Sequence, residues 1–185
     1  LRLGAEGTSF DPIVLTGPDT SMPHGVPGDR RVAEGDFVTM DFGCRKNGYC
    51  SDMTRTFFWS EPTAKQREVY ELVRRANEAG RAAVHPGARF CDIDKAARDV
   101  IAEAGYGEYF THRLGHQIGL DEHEPGDVSS VHDEEVQVGM CFSIEPGIYL
   151  PGEFGVRIED LVCVTGDGCE VLNNYPRELA VLGPR

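Results

Sequence analysis

The stretch Gly35-Asp-Phe-Val-Thr-Met-Asp-Phe-Gly43 aligns without gaps on Gly139-Met-Cys-Phe-Ser-Ile-Glu-Pro-Gly147. Glycine meets glycine at both ends, Thr39 meets Ser143, and Asp41 meets Glu145. Across 136–145 the apolar residues Val136, Val138, Met140, Phe142 and Ile144 alternate, which is the period of a strand. Glu145 then shares the opposite face with Cys141 and Ser143. Two similar strands, each carrying a carboxylate at the same point, point to an internally duplicated fold.

The partner of each strand follows from its turn. Asn47-Gly48 between two strand-like runs signals a type I′ hairpin. With those residues as the loop, paired numbers total 95, so Asp41 faces Thr54 and Asp52 faces Gly43. Asp41 and Asp52 become diagonal neighbours on one face, their Cβ atoms roughly 7–8 Å apart. Two carboxylates aimed at one space repel unless they are protonated or bridged by cations. Two divalent ions about 3.5–4 Å apart suit that gap. In the second half, an odd-length loop centred on Gly152 places Glu145 opposite Glu159, with Arg157 on the same face.

Outward from these hairpins the chain reads as strands at 36–43, 49–58, 111–119, 136–145, 155–164 and 178–182, with two helices. Thr63 and Gln66 form a capping box ahead of Val69, Leu72, Val73, Ala76 and Ala79 at helical spacing, ending before Pro86-Gly87. A second helix over 92–104 buries Ile93, Ala96, Ala97, Val100 and Ile101 and stops at Gly105. Strand runs alternating with two helices indicate an α+β fold with the helices against one face of a sheet.

Composition excludes several function classes. A length of 185 residues is enough for one domain with its own core. With 18 basic and 31 acidic residues the net charge is −13, the wrong sign for a nucleic-acid-binding face. No apolar run approaches the roughly 20 residues of a membrane-spanning helix, and no segment resembles a signal peptide. The six cysteines, at 44, 50, 91, 141, 163 and 169, include no Cys-x-x-Cys. They read as reduced thiols packed as small apolar residues, in a cytoplasmic protein. The chain opens on Leu1, as a processed product or a piece of a longer protein would.

Four histidines join the carboxylates. His112 and His116 share a face if 111–119 is a strand, His123 follows in a loop, and His24 lies in Pro23-His-Gly-Val-Pro27. Carboxylates with an imidazole suit Mn²⁺, Fe²⁺, Co²⁺ or Zn²⁺. His85 and His132 have no such setting and are expected at the surface. No phosphate-binding glycine loop, serine elbow or Cys–His pair is present.

The segments PHGVPGD (23–29), MDFGCRKNGYCSDMTRTF (40–57), THRLGHQIGLDEHEP (111–125), GMCFSIEPGIY (139–149) and GVRIEDLV (155–162) resemble, in order, the motifs of the pita-bread metallopeptidases. That family includes aminopeptidase P, prolidase and methionine aminopeptidase. The resemblance implies two pseudo-symmetric halves, with a curved antiparallel sheet and helices on its outer face. It implies a dinuclear centre, Mn²⁺ being the first choice, liganded by Asp41, Asp52, His116, Glu145 and Glu159. Asp52 and Glu159 would bridge both ions, His116 and Glu145 would hold one, and Asp41 the other. Glu145 would also be the general base, with His112 and His123 as oxyanion or substrate contacts. His24 would line the cleft, and Thr54 and Arg157 would orient the bridging carboxylates.

The eleven-residue step from Asp41 to Asp52, the Arg157-Ile-Glu-Asp160 run and Asn174-Tyr-Pro-Arg-Glu-Leu179 resemble the Xaa-Pro group of that family. The implied substrate is an Xaa-Pro peptide and the implied assembly a homodimer. Gln117 departs from the family's usual glycine. On this reading residues 1–185 are one catalytic domain lacking the family's first helix and separate N-terminal domain. The rival readings are a metal-dependent hydrolase or lyase of a non-peptide molecule on the same fold, a creatinase-like C–N hydrolase, and a non-catalytic binding module.

Overall fold

The computed structural model describes residues 1–183. The first half contains β1 (Gly7–Thr8), β2 (Ile13–Thr16), β3 (Phe37–Asp41), β4 (Cys44–Lys46), β5 (Tyr49–Cys50) and β6 (Thr54–Trp59), followed by helix α1 (Ala64–Ala82). Helix α2 (Phe90–Glu103) opens the second half. It precedes β7 (Gly115–Gln117), β8 (Glu124–Val128), β9 (Cys141–Ile144), β10 (Gly147–Leu150), β11 (Phe154–Arg157), β12 (Asp160–Val164), β13 (Cys169–Val171) and β14 (Val181–Leu182). The two main sheets run β14-β6-β3-β2 and β13-β12-β9-β7-β8.

Both predicted registers are present. Asp41 pairs with Thr54 in β3–β6, and Lys46 with Tyr49 in β4–β5, so the total of 95 holds along the whole hairpin. In the second hairpin Ile144 pairs with Asp160 and Gly147 with Arg157, and a single total of 304 holds there too. The expected strands 36–43, 49–58, 136–145 and 155–164 are nevertheless shorter or interrupted. The second hairpin breaks where its acids sit, because the amides there bond elsewhere: Glu145 N–H to Leu114 O (2.8 Å), just ahead of β7, and Glu159 N–H to Thr54 O (3.1 Å) of β6. The second of these bonds joins one hairpin to the other.

Three further expectations need correction. The strand read at 136–140 is absent: Val136 exchanges backbone bonds with the Gly87–Ala88 turn, and Gly139 bends the chain at a φ of 91°. The strand at 111–119 shrinks to β7, leaving His112 ahead of it. The sheet expected to be wholly antiparallel gains a parallel pairing, since β14, all that forms of 178–182, joins β6 in parallel. α2 also starts two residues earlier than read, at Phe90.

The helices form as their sequences require. The capping box on α1 is complete, Thr63 Oγ1 accepting from Gln66 N–H and Gln66 Oε1 from Thr63 N–H. Val69, Val73 and Ala76 are fully buried, as are Ile93, Ala97 and Ile101 of α2. Gly80 permits close helix packing, since a Cβ there would come within 3.0 Å of Ile144. Ala79, expected in the core, is only half-buried, while Asn77 beside it is fully buried. Asn77 Nδ2 donates to Ile144 O (2.9 Å) and Ile158 O (3.3 Å), the carbonyls just before the two glutamates.

Candidate metal centre

The two hairpin breaks face a cavity of about 510 Å³. Nine of the ten residues singled out in the sequence line it: His24, Asp41, Asp52, His112, His116, His123, Glu145, Arg157 and Glu159. Thr54, the tenth, is fully buried beneath Glu159 and donates its hydroxyl hydrogen to Glu159 Oε2 at 2.7 Å. At the centre, one ligand atom each from Asp52, His116 and Glu159 lies within 4.8 Å of the others.

His116 fixes the sign of what can sit there. Its Nδ1 lies 3.1 Å from Gln117 O, an acceptor, so Nδ1 carries the hydrogen and Nε2 presents a lone pair. That lone pair looks at Asp52 Oδ2 and Glu145 Oε1, each 3.6 Å away and too far for a hydrogen bond. Asp41 Oδ1 and Asp52 Oδ1 are buried with no hydrogen-bond partner. Orphaned buried acceptors are costly. Acceptors from opposite sides converging on one space fit divalent cations.

Crowding and burial raise the proton affinity of two of these acids. Burial, then the charges of Asp41 and Glu145, push the Asp52 carboxyl up to about 9. Burial and the Asp52 charge raise Glu159 well above the usual carboxylate range. Arg157 supplies the compensating positive charge. It donates to Asp41 Oδ2 (2.6 Å), Thr54 Oγ1 (3.1 Å), Tyr149 Oη (3.0 Å) and Pro23 O (3.0 Å). A single buried guanidinium therefore ties Asp41 to Thr54, and through Thr54 to Glu159.

His112 is held more tightly than a free donor would be. Its Nδ1 lies 2.6 Å from Arg113 O and its Nε2 2.9 Å from Tyr149 Oη. Burial lowers its pKa, so it is a neutral imidazole that donates from Nδ1 and accepts the tyrosine hydrogen at Nε2. His123 sits at the rim, exposed, with its ring centroid 4.3 Å from that of His116. His24 is exposed at the opening. His132, expected at the surface, is instead half-buried and stacks on Phe90 at 4.6 Å. His85 is exposed, as expected.

Four supports were not singled out from the sequence. Ser143 Oγ donates to Glu145 Oε1 (3.0 Å). Tyr149 joins His112 to Arg157, and the alternation Glu145, Gly147, Tyr149 along one face was the available signal. Asn173 accepts from Leu161 N–H (2.5 Å) and donates to Asp52 O (2.9 Å). Arg55 donates to Thr54 O, Glu159 O and buried Asp160, and also to Tyr175 O and Pro176 O. No local pattern announces Asn173 or Arg55.

The sequence model of metallopeptidase family M24 matches residues 1–166. The chain belongs to metallopeptidase family M24. This M24 chain is 49% identical over 174 residues to an uncharacterized peptidase of Staphylococcus saprophyticus, covering 94% of this chain and 50% of that protein. Among solved structures, a prolidase from Thermococcus sibiricus superposes with a TM-score of 0.96 at 44% identity, over 98% of this chain and 49% of that one. An Xaa-Pro dipeptidase from Bacillus anthracis superposes equally well, at 0.96 and 45% identity, over 98% of this chain and 51% of its own. A variant of Escherichia coli aminopeptidase P gives 0.84 at 28% identity, over 92% of this chain and 45% of that one. The pita-bread fold expected from the motifs is thus the fold observed. The chain spans about half the length of the curated relatives it matches. No helix among the described residues is long and apolar enough to cross a membrane.

Proposed function

We propose that this chain carries the site of a metal-dependent exopeptidase that hydrolyses the Xaa-Pro bond of dipeptides or of peptide N-termini. The observation that carries this reading is the convergence of acceptors without donors: Asp41 Oδ1, Asp52 Oδ1 and the Nε2 lone pair of His116. The likeness to prolidase and Xaa-Pro dipeptidase structures supports the substrate class. Asp41, Asp52, His116, Glu145 and Glu159 are assigned as holders of two divalent ions, with Asp52 and Glu159 shared between them. Mn²⁺ is the first ion to test, then Co²⁺, Zn²⁺ and Fe²⁺.

Divalent ions held by these residues would supply a water acidic enough to lose its proton near neutral pH and would polarise the scissile carbonyl. Glu145 takes that proton on its carboxylate and delivers it to the leaving amine, with one oxygen steadied by Ser143. His123 at the rim donates to the substrate, and His24 borders the cleft. His112 faces the same cavity as a substrate contact, its ring held in place by the hydrogen bond it accepts from Tyr149. Thr54 and Arg157 hold Glu159 and Asp41 in place. Six free cysteines support a reducing, cytoplasmic location, and a homodimer is the proposed assembly.

The test is metal analysis of the purified protein, together with proline release from an Xaa-Pro dipeptide and first-residue release from an Xaa-Pro-Xaa tripeptide. Asp52→Ala and Glu159→Ala should each lose the metal, whereas His123→Ala should keep it and turn over more slowly. Stoichiometric metal in Asp52→Ala refutes the ligand assignment. Two ions bound with neither activity points to a non-peptide substrate, and no metal at all to a binding module.

A further inference from the structure

The second hairpin carries a pair of cysteines that the proposed chemistry does not use. Cys141 of β9 and Cys163 of β12 stand directly opposite each other in an antiparallel ladder. Val164 N–H bonds to Met140 O (2.9 Å), so the rung at 140 and 164 is hydrogen-bonded. Ladder rungs alternate, which makes Cys141–Cys163 a rung whose own amides and carbonyls point outward. Cys141 O accordingly accepts from Ile118 N–H on the far side. In such rungs Cα atoms lie roughly 4.5 Å apart and side chains approach most closely, within the Cα range of a disulfide, about 4.4–6.8 Å. Both thiols are free and half-exposed, so an oxidant can reach them.

We propose that Cys141 and Cys163 are an oxidation site that closes reversibly to a cross-strand disulfide, and that closure weakens metal binding at the neighbouring carboxylates. With hydrogen peroxide as oxidant, one thiolate attacks the O–O bond, giving a sulfenic acid and one water. The second thiolate attacks that sulfur, the S–S bond forms, and the sulfenic oxygen leaves as a second water. Two thiols and one peroxide thus give one disulfide and two waters. A small-molecule disulfide does the same by exchange, released as two thiols. Such pairs in reducing compartments are commonly transient and redox-sensing.

Coupling to the site follows from the ladder. Cys141, Ser143 and Glu145 alternate along one strand, and Cys163, Leu161 and Glu159 along the other, so the dithiol lies two same-face rungs from Glu145 and Glu159. A disulfide prefers Cα atoms about 5.5–6 Å apart, against roughly 4.5 Å across this close rung. Closure therefore presses the strands apart, and a packed interior passes that shift along. Burial, then the neighbouring Cys163 thiol, push the Cys141 thiol up to about 11, so the reaction should speed up as the pH rises.

The coupling rests on the metal reading above, while the disulfide itself does not. The experiment treats the protein with hydrogen peroxide or oxidised glutathione, counts free thiols, maps the linked peptides, and titrates Mn²⁺ before and after. Expected are loss of two thiols, a 141–163 linkage, Mn²⁺ affinity lowered roughly tenfold or more, the scale of losing support behind a ligand, and recovery with dithiothreitol. Cys141→Ser and Cys163→Ser should keep their Mn²⁺ affinity under oxidant, and Cys44→Ser should behave like the parent. Absence of the 141–163 linkage while exposed Cys44 is oxidised overturns the proposal. So does a linkage that leaves Mn²⁺ affinity unchanged, or an equal loss of affinity in Cys141→Ser. If the reduced protein binds no Mn²⁺, the metal reading fails and the linkage map alone decides the oxidation site.

Discussion

The two carboxylate hairpins share a register logic but face their acids differently. In the first, the register sets Asp41 opposite Thr54 and Asp52 opposite Gly43, where the backbone of Ser51 comes too close for any side chain. In the second, Glu145 and Glu159 lie opposite each other. The bracing differs as well. The second hairpin is steadied at its break by Asn77 of α1 and by Ser143 of its own strand. The first is steadied largely from the other half, by Arg157 on Asp41 and Asn173 on Asp52. The lesson is that a duplicated frame need not duplicate its supports: each half braces the other, the first through backbone carbonyls and a hydroxyl on Glu159, the second through a guanidinium on Asp41.

Arg157→Met cuts that dependence most severely. It leaves Asp41 buried without its cation, and removal of one partner from a buried ion pair costs about 3–5 kcal/mol. Urea denaturation of the metal-free protein should record that loss, and added Mn²⁺ should recover part of it. A loss below 1 kcal/mol would mean that the first hairpin holds its own shape.

Asn77→Leu attacks the brace that α1 of the first half lends to the second hairpin. It strands Ile144 O and Ile158 O at the core side of the break, at a cost of about 1–3 kcal/mol. Mn²⁺ affinity should fall with it, because both glutamates follow those carbonyls. Unchanged affinity would show that Asn77 supports the fold without supporting the ligands.

The pH dependence separates Asp52 from its surroundings. In the metal-free protein its carboxyl is raised from 3.8 to about 9, so between those values the folded state keeps a proton that the unfolded chain has lost. Stability of the metal-free protein should therefore fall as the pH rises through that window, by up to about 1.4 kcal/mol per pH unit. Glu159 acts in the same direction. A cation takes the place of the proton, so Mn²⁺ affinity should strengthen with pH while the loaded protein stays comparatively flat. Denaturation midpoints at several pH values, with Mn²⁺ and with chelator, test this. Parallel curves would count against a cation at Asp52.

The smallest effect is Thr63→Ala, which removes the capping box of α1 for about 1 kcal/mol. It should leave Mn²⁺ affinity alone, since the cap is far along the helix from Asn77. A matching loss of affinity would tie the site to the helix as a whole.

Much of this arrangement was legible in the chain. The Asn47-Gly48 turn and the loop around Gly152 each set one register, and a register carries every facing pair with it. The facing positions of Asp41, Asp52, Glu145 and Glu159 therefore followed from the turns, while their assignment as ligands followed from the family resemblance. The break in the second hairpin was not legible, because it exists where amides find partners outside the hairpin, Glu145 at Leu114 and Glu159 at Thr54. Asn173 and Arg55 escaped for the same reason: their partners are more than a hundred residues away along the chain. Asn77 was hidden by a helical pattern that located the apolar stripe but not the polar residue within it.

The braces from the second half also carry a clock. Arg157 follows Asp41 by 116 residues, and Asn173 follows Asp52 by 121. At a synthesis rate of about 5–20 residues per second, Asp52 waits roughly 6–24 s on the ribosome before its brace exists. During that interval its carboxylate is open to water and to any passing cation, yet no matched set of ligands can close around one. On the metal reading, a closed set of ligands is thereby deferred until Asn173 has been made.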